Sequence, residues 1–193
     1  MEFIESGLHF RFSEEWVIKK YDAHRFYKGL SGSGLKGVDF LGVLGEELFL
    51  FEIKNFRRRH DWQEENPLEA ILARPADFVE TIAYKVEDTL LAIDAIWQYY
   101  NRKWLFRRLL PALHLLPVTE NDWRFWARAY AIMQTPEQVK VVLWMETEQA
   151  RPALMKEVET LLAERLKERA ASVRLALLSD YGFMDGLEVA SGE

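Results

Sequence analysis

The chain of 193 residues predicts a mixed α/β (α+β) fold, in which a β-sheet is flanked by helices. Three observations carry this. Short runs of branched and aromatic residues cluster between Leu8 and Phe56, the pattern of strands. A mainly helical segment follows, over about 67–133. Strand, helix and strand patterns then close the chain, and this order suits a mixed architecture. The apolar fraction is 49% and the charged fraction 29%, ordinary for a globular protein. The length suits one domain over 1–193, with disorder expected only at the ends, as at Val189–Glu193.

Taken in order, Leu8–Phe12 alternates apolar and polar and reads as a short strand, and Trp16–Tyr21 reads similarly. Asp22 is placed to cap a short helix through Gly29, since Asp is a favoured N-cap. Ser31–Gly37 is a Gly/Ser loop. Val38–Phe56 holds two strands, with Gly45-Glu46 as the turn, because a type II′ turn wants Gly first. Pro67–Ala73 predicts a short helix, and Pro75 fits the first turn of a long one reaching Tyr100. Phe78, Ile82, Val86, Leu90, Ile93 and Trp97 recur along it at helical spacing. Arg102–Leu116 and Asn121–Met133 read as helices separated by Pro111 and Pro117. Val139–Met145 is a continuous apolar run, as in a buried strand. Pro152–Ala170 is a charged amphipathic helix, and Val173–Leu178 a last strand.

The hairpin is where chemistry enters. With the turn at Gly45-Glu46, Leu44 faces Glu47 and opposed residue numbers sum to 91, so Asp39 falls opposite Glu52. The period of two then sorts the faces. Asp39, Leu41 and Val43 share one with Leu48, Leu50, Glu52 and Lys54, while Val38, Phe40, Gly42 and Leu44 share the other with Phe49, Phe51 and Ile53. Both faces are apolar, which predicts inner strands covered on both sides. Three ionisable residues, Asp39, Glu52 and Lys54, thus sit at one end of a buried face. Buried charge is costly unless it is paired or binds metal. Two readings follow: a divalent cation relieving the repulsion of two carboxylates, or a buried salt bridge from Lys54. Gly42 is a possible bulge, which would shift this register.

At these residues the chain resembles the PD-(D/E)XK nuclease superfamily, whose pattern is an Asp on one strand, then Glu or Asp, any residue and Lys on the next. Here it reads Val38-Asp39, then Glu52-Ile53-Lys54, with Val38 where the family commonly has Pro. The resemblance covers roughly Trp16–Asp94. It implies a restriction-endonuclease-like core with a mixed sheet flanked by helices. It implies a magnesium- or manganese-dependent nuclease cutting phosphodiester bonds, DNA before RNA, with an inactive module binding nucleic acid or protein as the alternative. By the same resemblance Asp39, Glu52 and the Ile53 carbonyl hold the metal, and Lys54 orients the attacking water and stabilises charge. Many members carry an upstream acid. Glu14, Glu15 and Asp22 are the candidates, with Asp22 preferred.

Further signals have two readings each. Arg57 and Arg58, with Arg59 and His60, either hold phosphates near the site or form a solvated loop pairing with Asp61, Glu64 and Glu65. Lys85 either pairs with Asp88 as an exposed i,i+3 couple, the first expectation, or contacts substrate or a site carboxylate. Trp97, Tyr99, Tyr100, Trp104 and Phe106, interleaved with Arg102, Lys103, Arg107 and Arg108, suit core aromatics with a basic outer face. Single-stranded bases or a homodimer contact are their other uses. Gly32-Ser33-Gly34-Leu35-Lys36-Gly37 matches G-x-G-x-x-G but opens a strand, so no dinucleotide site is expected. There is no H-R-D or D-F-G sequence for a kinase, and the histidines at 9, 24, 60 and 114 lack metal-ligand spacing.

Composition narrows the setting. The absence of cysteine removes disulfides, thiolate nucleophiles and cysteine zinc sites. The acidic start lacks a signal pattern, and no run approaches the ~18 apolar residues of a membrane span. A soluble, cytoplasmic protein without a membrane partner is expected. The net charge of −6 speaks against a protein that coats nucleic acid, yet a local basic patch is enough to hold phosphates.

Overall fold

A computed structural model describes residues 1–32, 34–57, 67–102, 122–148, 151–178, 180 and 183–191. It is a mixed α+β protein built on two sheets. The first strands, β1 (Glu2–Glu5) and β2 (Leu8–Phe12), form a hairpin, and the last strand, β8 (Leu187–Ser191), pairs with β2 to complete a three-stranded antiparallel sheet. The five-stranded sheet has the order β3-β4-β5-β6-β7: β3 (Val17–Lys20), β4 (Phe40–Leu44), β5 (Glu47–Asn55), β6 (Val139–Glu146) and β7 (Ser172–Ala176). Its first three strands are an antiparallel meander, while β5, β6 and β7 run parallel. Parallel neighbours need long crossovers. Here α3 (Pro75–Asn101) and α4 (Asp122–Met133) lie between β5 and β6, and α5 (Pro152–Leu166) lies between β6 and β7. Two short helices, α1 (Arg25–Ser31) and α2 (Pro67–Ala73), complete the set.

The hairpin folds as its turn dictates. Leu44 pairs with Glu47 and Phe40 with Phe51, the register that sums to 91. Gly45 takes φ +56°, and Glu46 is not in the left-handed region, as a type II′ turn requires. Gly42 is no bulge, because the ladder runs through it opposite Phe49 and Ile18. A Cβ there would come within 2.6 Å of the Ile18 side chain and 3.1 Å of the Trp16 ring. Gly42 is a seat for neighbouring side chains.

Both faces of β5 are covered, as their apolar patterns predict. Leu48 and Leu50 join Leu41, Val43, Ile82, Val86, Ile93, Val158 and Leu162 in a core between the larger sheet and the helices. Phe49, Phe51 and Ile53 join Phe10, Phe12, Trp16, Phe40 and Trp144 in a second core between the two sheets. Ile82, Val86 and Ile93 of the α3 stripe are buried, whereas Phe78, Leu90 and Trp97 are half-buried at its flank. Trp97 stacks flat on Tyr130 with ring centroids 4.7 Å apart. Arg165 of α5 ties the helices together by binding Glu80 and Glu87 of α3.

Several expectations need correction. The end of the chain is ordered through β8, so Val189–Ser191 are strand residues. The short helix starts later than Asp22 suggests. His24 accepts the Phe26 N–H through Nδ1 at 3.3 Å, occupying the place expected of the Asp22 cap. The helix expected at Arg102–Leu116 lies almost wholly outside the described residues, as do Trp104, Phe106, Lys103, Arg107 and Arg108. No helix among the described residues is long and apolar enough to cross a membrane.

Candidate active site

The carboxylates and lysines meet on the helix-facing side of the larger sheet, at the C-terminal end of β5. Glu52 is the centre of the group, and its side chain is 0% exposed. Its position in the apolar alternation of β5 forces it inward, between Leu50 and the helices. Lys54 lies two residues on, on the same face, and its Nζ reaches Glu52 Oε1 at 2.6 Å. Lys85 approaches from α3 and donates to the same oxygen, also at 2.6 Å. The other oxygen, Oε2, is buried and has no hydrogen-bond partner among the described residues.

Asp39 stands just before β4, where the ladder ends. Its N–H donates to the Phe51 carbonyl and its own carbonyl accepts from the Tyr21 N–H. The side chain then takes over as an acceptor for β5, with Oδ2 receiving the Ile53 N–H at 2.6 Å. Burial, reinforced by the charge of Glu52, raises the Asp39 carboxyl to about 7, against the smaller opposing pull of the Ile53 N–H, Lys85 and Lys54. Burial alone would lower the Lys85 ammonium, but the charge and hydrogen bond of Glu52, with help from Asp39, raise it. Lys85 therefore stays charged at neutral pH.

Asp22 lies at the margin. Burial raises its carboxyl, and its Oδ1 is buried without a hydrogen-bond partner among the described residues. Lys20 of β3 binds Glu5 at 2.8 Å, and its charge also acts on Asp22. The group thus holds two carboxylates, Asp39 and Glu52, with two ammonium groups, Lys54 and Lys85, both of which bind the same Glu52 oxygen. Both lysines are spent on Glu52 Oε1, and at Asp39 burial and the Glu52 charge outweigh what they offer.

The remaining expected residues fall elsewhere. Arg57 leaves the group altogether, because positions 55 and 57 point to the face opposite 52 and 54. Its guanidinium grips Glu146 Oε1 through Nη2 at 2.7 Å and Nε at 3.1 Å. Arg58 lies outside the described residues, with Arg59 and His60. Lys85 does not pair with Asp88, whose carboxylate accepts the Lys36 N–H instead. Position 85 borders the buried stripe of Ile82, Val86 and Thr89, and that border location was the available clue to an inward-reaching lysine. Glu146 and Lys20 were not singled out in the sequence. Their signals are an acid closing the apolar run of β6 and a lysine two residues before Asp22.

Among the described residues, no three acidic or histidine side chains come together to hold a metal ion. The donor set is the smaller one of Asp39 and Glu52. Magnesium is commonly held by one or two carboxylates, with waters and substrate oxygens completing the shell. The unpartnered Glu52 Oε2 suits that use, since a buried anionic oxygen without a partner is costly. Comparison of the chain with protein-family models, curated proteins and solved structures returned no match.

Proposed function

We propose that the chain is a metal-dependent hydrolase of phosphodiester bonds, acting on nucleic acid and on DNA before RNA. The observation that carries this reading is the convergence of Asp39, Glu52 and Lys54 on one face, with one Glu52 oxygen left bare. The position also favours it. In sheets with parallel strands, ligands bind beyond the carboxyl ends of the strands, and this group sits at the end of β5, which runs parallel to β6. The antiparallel meander followed by a helical crossover to a parallel strand agrees with the mixed, helix-flanked sheet that the PD-(D/E)XK resemblance implies.

In this reading Asp39 and Glu52, with the Ile53 carbonyl, hold magnesium or manganese, which supplies polarisation of the phosphodiester and an acidified water. Asp22 is the neighbouring carboxylate best placed to assist. Lys54, ion-paired with Glu52, orients the nucleophile and offsets charge on the phosphate. Lys85 has the same charge and shares the same carboxylate oxygen, so it is a second contact for a phosphate oxygen. Asp39 must lose its proton to hold a cation, so metal binding should weaken as the pH falls below about 7.

A second reading has its own observation. Both lysines already neutralise Glu52 Oε1, as a non-catalytic module with a buried ion cluster would require. Incubating the protein with supercoiled plasmid, single-stranded DNA and RNA, with magnesium or manganese, beside Lys54→Ala, separates the two. The nuclease reading expects cleavage by the wild type and a rate about 10²-fold lower in Lys54→Ala. No cleavage, together with no metal binding by calorimetry, would move the assignment to the non-catalytic module.

A further inference from the structure

Thr89 is the residue of α3 that meets the chain entering β4. It lies on the buried stripe with Val86, Ile93 and Ile96 and is itself 0% exposed. A helical threonine can turn its hydroxyl back to the carbonyl four residues before it. Thr89 does so, donating to the Lys85 carbonyl at 2.7 Å. A hydroxyl has one proton to give and two lone pairs to offer, and here it accepts the Val38 N–H at 3.1 Å. Val38 is fully buried and stands immediately before Asp39. Valine at position 89 would fill the same apolar stripe, so packing alone gives no reason for a hydroxyl. The Val38 N–H gives one, because a buried donor left without a partner is costly.

The neighbouring side chain repeats the arrangement. Asp88 accepts the Lys36 N–H at 2.9 Å, so α3 holds the backbone on both sides of Gly37. At Gly37 a Cβ would come within 2.6 Å of the Tyr21 ring and 2.9 Å of the Tyr27 ring. The segment leading to Asp39 is thus bonded to the helix and pressed against two tyrosines. One hydroxyl oxygen joins the backbone next to Asp39 to the backbone of Lys85. Asp39 then accepts the Ile53 N–H beside Glu52, and Lys85 Nζ reaches Glu52 Oε1 from the helix. We propose that Thr89 is a positioning residue of the candidate site, fixing Asp39 and Lys85 relative to Glu52 through this one hydroxyl. The inference rests on the reading of Asp39 and Glu52 as a cation site, and it adds a residue that acts on the cation only through others.

Manganese alone, titrated into the full chain by calorimetry, is the probe, with urea unfolding run in parallel. Thr89→Val keeps the shape of the side chain and removes the hydroxyl, and it should bind manganese about tenfold more weakly, the size expected for groups that orient metal ligands. Thr89→Ser keeps the hydroxyl and should restore wild-type affinity. Ile93→Val loses packing on the same stripe and should bind like wild type even where it is less stable. The proposal is overturned if Thr89→Val binds like wild type, if Thr89→Ser is as weak as Thr89→Val, or if Ile93→Val is equally weakened. A second readout is the ¹⁵N ammonium resonance of Lys85, identified by its loss in Lys85→Arg. It should shift in Thr89→Val and stay in place in Thr89→Ser, and an unmoved resonance in Thr89→Val overturns the proposal. Wild type that binds no manganese would remove the cation reading, and the Lys85 resonance then decides the positioning role by itself. Should Thr89→Val fail to fold, Thr89→Ala is read in its place against the same outcomes.

Discussion

Two glutamates are buried in neighbouring strands of the same sheet, on opposite faces, and they are treated differently. Glu146, at the end of β6, has both oxygens in use: Arg57 takes Oε1 twice and the Leu178 N–H takes Oε2 at 2.9 Å. Glu52, in β5, has two lysines on one oxygen and, among the described residues, no hydrogen-bond partner on the other. Their side chains are almost equally hidden, at 5% and 0% exposure. Burial therefore does not separate a structural carboxylate from a functional one. Satisfaction is where the two differ: Glu146 has both oxygens engaged, whereas Glu52 keeps one spare, the feature on which the proposed cation site rests.

The comparison breaks most visibly at Glu52. Glu52→Gln should lower cleavage about 10³-fold while costing only about 1 kcal/mol of stability, because Lys54 and Lys85 are part-exposed and can turn to water. Parallel urea unfolding and plasmid assays test both halves. A loss of stability as large as the loss of activity would make Glu52 a structural acid like Glu146. Arg57→Ala should do the opposite, costing about 3 kcal/mol by stranding the buried Glu146 charge and leaving the cleavage rate of the folded protein unchanged. A cleavage defect without destabilisation would return Arg57 to the substrate.

Two smaller effects sharpen the picture. Lys85→Ala should slow cleavage about tenfold, since Lys54 still faces Glu52 Oε1, and a rate equal to wild type would remove Lys85 from the site. Asp39 gives a pH signature. Burial first, then Glu52, raises it to about 7 in the folded protein, against roughly 3.9 in an unfolded chain. Between those values the folded state binds the extra proton, so this stabilisation is fully present below about pH 4 and lost as the pH rises through 7. Asp39 is only part-buried, and solvent screening reduces the effect to roughly 1 kcal/mol, or about 3 °C in the melting midpoint. Wild type should lose that much more than Asp39→Asn on going from pH 5 to 8. Identical pH profiles would contradict the shift.

The sequence carried the hairpin well because its information is local. Gly45-Glu46 fixes the turn, the turn fixes the register, and the alternation of two places Asp39, Glu52 and Lys54 together. Prolines marked the starts of α2, α3 and α5 for the same reason. What was not legible depends on distant partners. β8 pairs with β2 across most of the chain, and Leu187–Ser191 alone carries little strand signal. The partner of Lys85 lies 33 residues away, in a strand, whereas Asp88 is one helical turn away and looked the simpler choice. Arg57 was legible and missed: its odd position, set against the even positions of Glu52 and Lys54, already places it on the other face.

The tight turn at Gly45-Glu46 has a consequence for how such a sequence can change over generations. Side chains along β4 and β5 can be exchanged one at a time, each tolerated or rejected on its own packing. Length cannot be exchanged so freely. Any insertion between Asp39 and Glu52 that is not absorbed in the turn changes which residues oppose one another, and moves the two carboxylates apart at a stroke. Descendants that keep this site should therefore vary in composition across the hairpin while holding its residue count constant.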